Sequence, residues 1–188
     1  MRGVLPDPRS YGLLRAVMAR RPEDVQDGQD LFEDSQPADL TSRAVPIRRL
    51  IVEADGGSRG NPGPAAYGAL VRDVESLTVL AAEGLPIGVA TNNVAEYRGL
   101  IAGLEMAHEV DPAAAVEVRM DSRLVIEQMA GRWKIKHPDM KPLARAASRV
   151  RPTQVIWTWV PREQNKAADS LVNKALDGAP VTRHGVSR

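Results

Sequence analysis

Residues 51–71 read IVEADGGSRGNPGPAAYGALV, and the folding of this stretch decides the architecture. It opens like a core strand on Ile51 and Val52 and soon meets a carboxylate, Asp55. The nine residues after Asp55 hold four glycines and two prolines, and a second apolar run begins at Ala65. Two residues suffice to close a hairpin. A strand that ends on a carboxylate and is followed by so much glycine-rich backbone therefore asks for a reason beyond chain reversal.

The flanking sequence supplies the other elements. Residues 48–55, 66–73 and 76–84 read as three strands, and their short connections imply an antiparallel meander. Within 92–110, Tyr97, Leu100, Ile101 and Leu104 recur at helical spacing. Asn93 and Glu96 are spaced as in a capping box, with Glu96 in the first turn. Residues 114–121 form a fourth strand by pattern, and Ser122 can cap a helix ending at Gly131. Another helix starts near Asp139. Residues 153–161 alternate bulky side chains as a fifth strand, and Asn165 can cap a last helix running to Gly178. Helices link the later strands, which implies parallel pairing there. The expected fold class is α/β, a five-stranded mixed β-sheet of three antiparallel strands followed by parallel additions, flanked by helices.

A chain of 188 residues suffices for one domain with a sizeable core. Its formal charge of +1 announces no polyanion partner, but the charge is uneven. Residues 1–46 hold six Arg against eight Asp or Glu, which leaves the remainder mildly basic. Residues 22–45 are acidic and poor in apolar periodicity, so 1–46 is expected to be a disordered N-terminal extension. Within it, 11–21 could form a short amphipathic helix presenting Leu13, Leu14, Val17 and Met18. The folded domain is expected over 47–178, with a flexible tail over 179–188. There is no Cys, which excludes disulfides and thiolate metal sites and fits a reducing cytoplasm. No apolar run approaches the roughly 20 residues of a membrane span, and the N-terminus has no secretory h-region. A cytoplasmic monomer is the expectation.

Four carboxylates fall at element ends: Asp55, Glu96, Asp121 and Asp169. Each has an ordinary explanation alone, as a turn residue, a capping-box residue or an anion favoured by a helix dipole. Together they point elsewhere, because ligands of open α/β sheets gather beyond strand ends and at helix N-termini. Carboxylates brought that close repel one another, and divalent metal removes the conflict. Oxygen-only ligands favour Mg²⁺, with Mn²⁺ possible. Two such ions about 3.5–4 Å apart can clamp an in-line phosphoryl displacement.

Four blocks, DGGSRGNPGPAAYGALV, TNNVAEYRGLIAGL, MDSRLVIEQM and QNKAADSLVNKA, resemble those of type 1 ribonuclease H, in the family's order and spacing. The resemblance covers residues 48–178. It implies the ribonuclease H-like fold and endonucleolytic cleavage of the RNA strand of an RNA–DNA hybrid, leaving 5′-phosphate and 3′-hydroxyl ends. It also implies metal binding and catalysis by Asp55, Glu96, Asp121 and Asp169. Gly56, Gly57 and Gly60 would let backbone approach a nucleic-acid strand, whose wide minor groove carries 2′-hydroxyls on one strand only. Asn61, Asn92 and Asn93 match substrate-contacting positions of the family, and Thr91 matches a DNA-phosphate contact. As ordinary residues the same four would be turn and helix-cap positions. Trp133, beside Lys134 and Lys136, suits stacking with phosphate attraction, or simply covers a half-buried surface loop.

The pattern also departs from the family. Many members carry a His shortly before the last catalytic Asp, whereas residues 160–169 read VPREQNKAAD. Arg162 or Glu163 occupies that place, as in a His-less branch. No long basic insertion follows Asp121, which implies a different grip on the hybrid. Arg183-His184-Gly185 matches a motif of a histidine phosphatase fused to some bacterial relatives, and is expected here to be coincidence or a remnant. Two rival readings remain: another nuclease on the same fold, and a non-catalytic hybrid- or RNA-binding module. Retention of all four acids argues against the second.

Overall fold

The structure, a computed structural model, describes residues 47–183. Five strands, β1 (Arg49–Ser58), β2 (Gly63–Asp73), β3 (Val79–Ala90), β4 (Ala115–Met120) and β5 (Val155–Trp159), make one sheet in the order β3-β2-β1-β4-β5. β1 pairs antiparallel with β2 and β2 with β3, whereas β4 lies parallel to both β1 and β5. The helices are α1 (Asn92–Val110), α2 (Arg123–Met129), α3 (Met140–Val150) and α4 (Lys166–Leu176), with a 3₁₀ turn at Arg162–Gln164 before α4. The mixed sheet is the one expected from the order of the elements.

Period-two alternation divides the sheet into two faces. Leu50, Val52 and Ala54 of β1 join Val116, Val118 and Met120 of β4 on the face covered by α1, α2 and α3. Leu100 and Leu104 of α1 are fully buried there, each burial stabilising the fold by about 1.5–3 kcal/mol. α4 covers the opposite face, setting Leu171 with Leu70 and setting Val172 and Ala175 against Ala66. Helix and sheet approach closely at Gly99. A Cβ there would lie 2.6 Å from the carbonyl oxygen of Asp55.

Several local expectations are corrected. β1 does not end on Asp55. It continues to Ser58 because Gly56, Gly57 and Ser58 pair in register with Tyr67, Ala66 and Ala65. The opening loop shrinks accordingly to residues 59–62. β3 runs on past residue 84, and a register shift between Ala65 and Ala66 absorbs the irregularity opposite it. α1 is capped by Thr91, whose Oγ1 accepts from the Val94 N–H at 3.4 Å, not by Asn93. Glu96 thus falls beyond the first turn and is not part of a capping box. Ser122 and Asn165 stand at N-cap positions without side-chain cap bonds.

Packing also continues past residue 178, where the sequence suggests a flexible tail. Val181 exchanges two backbone hydrogen bonds with Gly84, at 2.8 and 2.9 Å. Arg183 donates to Glu83, Glu105 and Glu109. Residues 1–46, including the amphipathic stretch 11–21, and His184-Gly185 lie outside the described residues.

Candidate active site

Asp55 lies in the central strand, opposite Gly68 of β2, and is only 6% exposed. Its Oδ1 accepts the N–H of Gly56 at 2.8 Å. Burial, reinforced by the negative charge of Asp121 and then Asp169, pushes its carboxyl up to about 7, despite that bond and the Arg162 charge. Glu96 projects from the second turn of α1, and its Oε2 is buried without a hydrogen-bond partner. Burial first, and then Asp55 and Asp121, hold its carboxyl well above the usual carboxylate range. Asp121 follows directly on β4. Its Oδ1 accepts from Asn165 Nδ2 at 2.9 Å, and its backbone carbonyl accepts from Trp159 Nε1 at 3.0 Å.

Asp55, Glu96 and Asp121 each offer a carboxylate oxygen, and these oxygens lie within 4.8 Å of one another. Three acids this close, two of them held protonated more firmly than usual and one with an orphaned buried oxygen, form a site short of positive charge. Its donors are oxygen alone, which fits a hard divalent cation. Asp169, in the first turn of α4, stands apart from this trio. Its Oδ1 accepts from Arg162 Nη2 at 2.6 Å and its Oδ2 from Asn173 Nδ2 at 2.9 Å. Arg162 thus supplies positive charge at the rim of the cluster and lowers the cost of ionising Asp55 and Glu96. Of the two residues at the place of the missing His, Arg162 reaches a catalytic candidate. Glu163 has no hydrogen bond to the cluster among the described residues.

The glycine-rich stretch has two structural duties beside any contact with a ligand. A Cβ on Gly56 would fall 2.1 Å from the backbone of Ala95 and Glu96, so glycine there is what lets α1 rest on β1. Gly57 faces Val172 of α4. Beyond them the loop is tied to the start of α1. Asn92 Oδ1 accepts from the N–H and Oγ of Ser58 at 2.7 and 2.8 Å, and the Asn92 N–H donates to Asn61 Oδ1 at 3.2 Å. Asn61 and Asn92 therefore form one exposed network, while Thr91 serves as the cap and Asn93 is exposed. Trp133 is 48% exposed in the segment after α2.

Sequence reasoning missed three residues that support the site: Ser58, Trp159 and Asn165. Asn165 looked like a helix cap. It is instead 1% exposed, and its amide reaches both β1 and Asp121. The alternation of β5 gives Trp159 a face but not its bond to Asp121.

A mixed five-stranded sheet, with carboxylates converging from its central strands and first helix, is the ribonuclease H-like architecture seen in solved type 1 enzymes. A family model described as reverse transcriptase-like matches residues 53–175. Ribonuclease HI of Halobacterium salinarum is 41% identical over 158 residues, covering 79% of this chain and 76% of that protein. The chain belongs to the type 1 ribonuclease H family. Higher identity, 56% over 135 residues, is shared with the bifunctional protein Rv2228c of Mycobacterium tuberculosis, covering 70% of this chain. This chain spans only 36% of the length of that relative. The solved N-terminal RNase H domain of Rv2228c superposes with a TM-score of 0.67 at 53% identity, covering 70% of this chain and 96% of that one. LC11-RNase H1, solved in complex with an RNA/DNA hybrid, gives 0.66 at 40% identity, covering 69% and 98%.

Proposed function

We propose that this protein is an endoribonuclease that hydrolyses the RNA strand of RNA–DNA hybrids, leaving 5′-phosphate and 3′-hydroxyl ends. The observation that carries the reading is the meeting of Asp55, Glu96 and Asp121 within 4.8 Å; Asp169, outside that trio, is paired with Arg162. The hybrid bound to the related LC11-RNase H1 supports the substrate class.

Asp55, Glu96, Asp121 and Asp169 would hold two Mg²⁺ ions, or Mn²⁺. When bound, the ions supply activation of the attacking water and stabilisation of the leaving oxygen. The protein's own part is placement. β1 and β4 are adjacent and parallel, so their acids come side by side at one end of the sheet. α1 rests on β1 through Gly56 and Gly99, which brings Glu96 to the same point. Burial withholds water from Asp55 and Glu96 and strengthens their attraction for a cation.

Around this centre, the bonded group of Ser58, Asn61 and Asn92, with Thr91, Asn93 and the backbone of Gly56 and Gly57, is proposed to contact the strands through sugars and phosphates. Trp133 would stack or pack against the same ligand. Arg162, charged throughout the neutral range, would hold the scissile phosphate where other members use His. The cysteine-free composition supports a cytoplasmic setting, and we read the domain as monomeric. No described helix is long and apolar enough to cross a membrane.

The test is cleavage of labelled hybrid, double-stranded RNA and double-stranded DNA with Mg²⁺ or Mn²⁺. Hybrid-selective, metal-dependent cutting of the RNA strand is expected. Equal cutting of double-stranded DNA would point to another nuclease, and binding without cleavage to a non-catalytic module.

A further inference from the structure

Asn165 belongs to neither the acid cluster nor the exposed substrate network, yet it touches the framework of both central strands. It sits between the 3₁₀ turn and α4 and is 1% exposed. Its Nδ2 donates to the carbonyl oxygen of Ala54 and to Asp121 Oδ1, both at 2.9 Å. Both partners are acceptors, so the amide can face them only with its NH₂ group. Its backbone carbonyl accepts the N–H of Asp169 at 3.1 Å. One buried side chain thus links the residue before Asp55 to the carboxylate of Asp121, while the backbone of the same residue opens the helical turn that carries Asp169.

The arrangement is not that of a helix cap. No backbone N–H of α4 donates to this side chain, and its Oδ1 is buried without a partner among the described residues. An amide kept only for local capping would satisfy that oxygen and leave Asp121 alone. The bond to Asp121 Oδ1 fixes the rotation of that carboxylate, while Trp159 holds its backbone carbonyl. A carboxylate held at one oxygen presents the other in a set direction, which is how outer partners orient metal ligands.

We propose that Asn165 is a positioning residue that orients Asp121 for divalent-cation binding. This rests on the two-metal reading of the acid cluster. Its loss should weaken cation binding by about ten- to hundredfold, the usual effect of removing an outer partner of a ligand.

The test compares wild type, Asn165→Ala and Asn165→Ser, the last keeping a small hydroxyl donor. Mg²⁺ and Mn²⁺ binding is read by calorimetry, folding by thermal melts without metal, and hybrid cleavage as kcat and KM across metal concentration. The proposal expects folded variants with a raised Kd for metal, and a rate loss that added metal restores. The KM for hybrid should stay within about twofold, and serine should recover part of the affinity. Metal affinity within about twofold of wild type in folded Asn165→Ala would overturn it. Failure of both variants to fold would also overturn it, by making Asn165 a structural residue. If wild type itself neither binds metal nor cleaves hybrid, the functional reading fails and takes this inference with it. Normal wild-type behaviour with indifferent variants removes the inference alone.

Discussion

Substituting Asp55 by Asn should make the metal-free protein more stable at pH 8, although it removes a catalytic candidate. Asp55 is 6% exposed, and its carboxyl is raised from 3.8 to about 7. That displacement corresponds to about 4 kcal/mol between the two protonation states. The sign follows from proton counting. Between pH 4 and 7 the folded state holds a proton on Asp55 that the unfolded state has released. Stability therefore falls as pH rises through that window and levels off above it. Glu96 is raised by the same causes and adds in the same direction. An amide at position 55 carries no charge, so the slope should flatten. The net gain at pH 8 should be about 2 kcal/mol, after loss of part of the effect to the poorly paired amide. For a domain of this size that is roughly 7 °C in Tm.

Metal should act on the same charge in reverse. Mg²⁺ at about 100 times its Kd stabilises by about 2.7 kcal/mol, and this should appear at pH 8 and fade by pH 5, where Asp55 is protonated. Thermal melts of wild type and Asp55→Asn from pH 4 to 8, with chelator or with Mg²⁺, read both effects. A metal-free Tm that rises from pH 4 to 7, or a Mg²⁺ shift of equal size at pH 5 and pH 8, would refute the reasoning.

Other perturbations follow from single contacts. Asp121→Asn should lower hybrid cleavage by roughly a hundredfold or more with the fold intact, because it removes charge but little volume. Wild-type-like cleavage by the folded variant would remove Asp121 from the site. Arg162→Ala should slow cleavage by roughly ten- to hundredfold without moving the midpoint of the pH–rate profile, since a guanidinium does not titrate there. A midpoint that moves only in Glu163→Gln would transfer the role to Glu163. Gly99→Ala should destabilise by about 1–3 kcal/mol, because its methyl would press on the carbonyl of Asp55. An unchanged Tm would show that α1 can lift away at no cost.

The approach of Asp55, Glu96 and Asp121 was legible in the sequence because each stands beside an apolar element whose period is clear, whereas the separation of Asp169 from them was not. The mixed sheet was legible because its later strands are linked by helices. What stayed hidden depends on contacts between distant segments. Gly56 and Gly57 look like loop residues, but they belong to β1 because β2 pairs with them. Proline and glycine at Gly84, Pro86 and Gly88 concealed the second half of β3. Asn165 follows the capping pattern in one dimension, and only the meeting of β1, β4 and α4 redirects its amide. The bond between Arg162 and Asp169 likewise depends on the 3₁₀ turn that carries the guanidinium, which the sequence pattern does not show.

The two margins of the sheet differ in a way that bears on motion. At one margin, β3 is closed by the returning chain at Val181. At the other, β5 is five residues long, pairs only with β4, and leaves Ile156 64% exposed. Local opening begins where pairing is one-sided and burial is shallow, so amide exchange should be fastest along β5 and slowest in β1. Asp55 inherits the stiffness of the slowest strand. Asp121 is braced through Trp159 by the fastest, so the precision of the site varies from one acid to the next, and fraying of a remote margin can loosen one carboxylate while leaving the other in place.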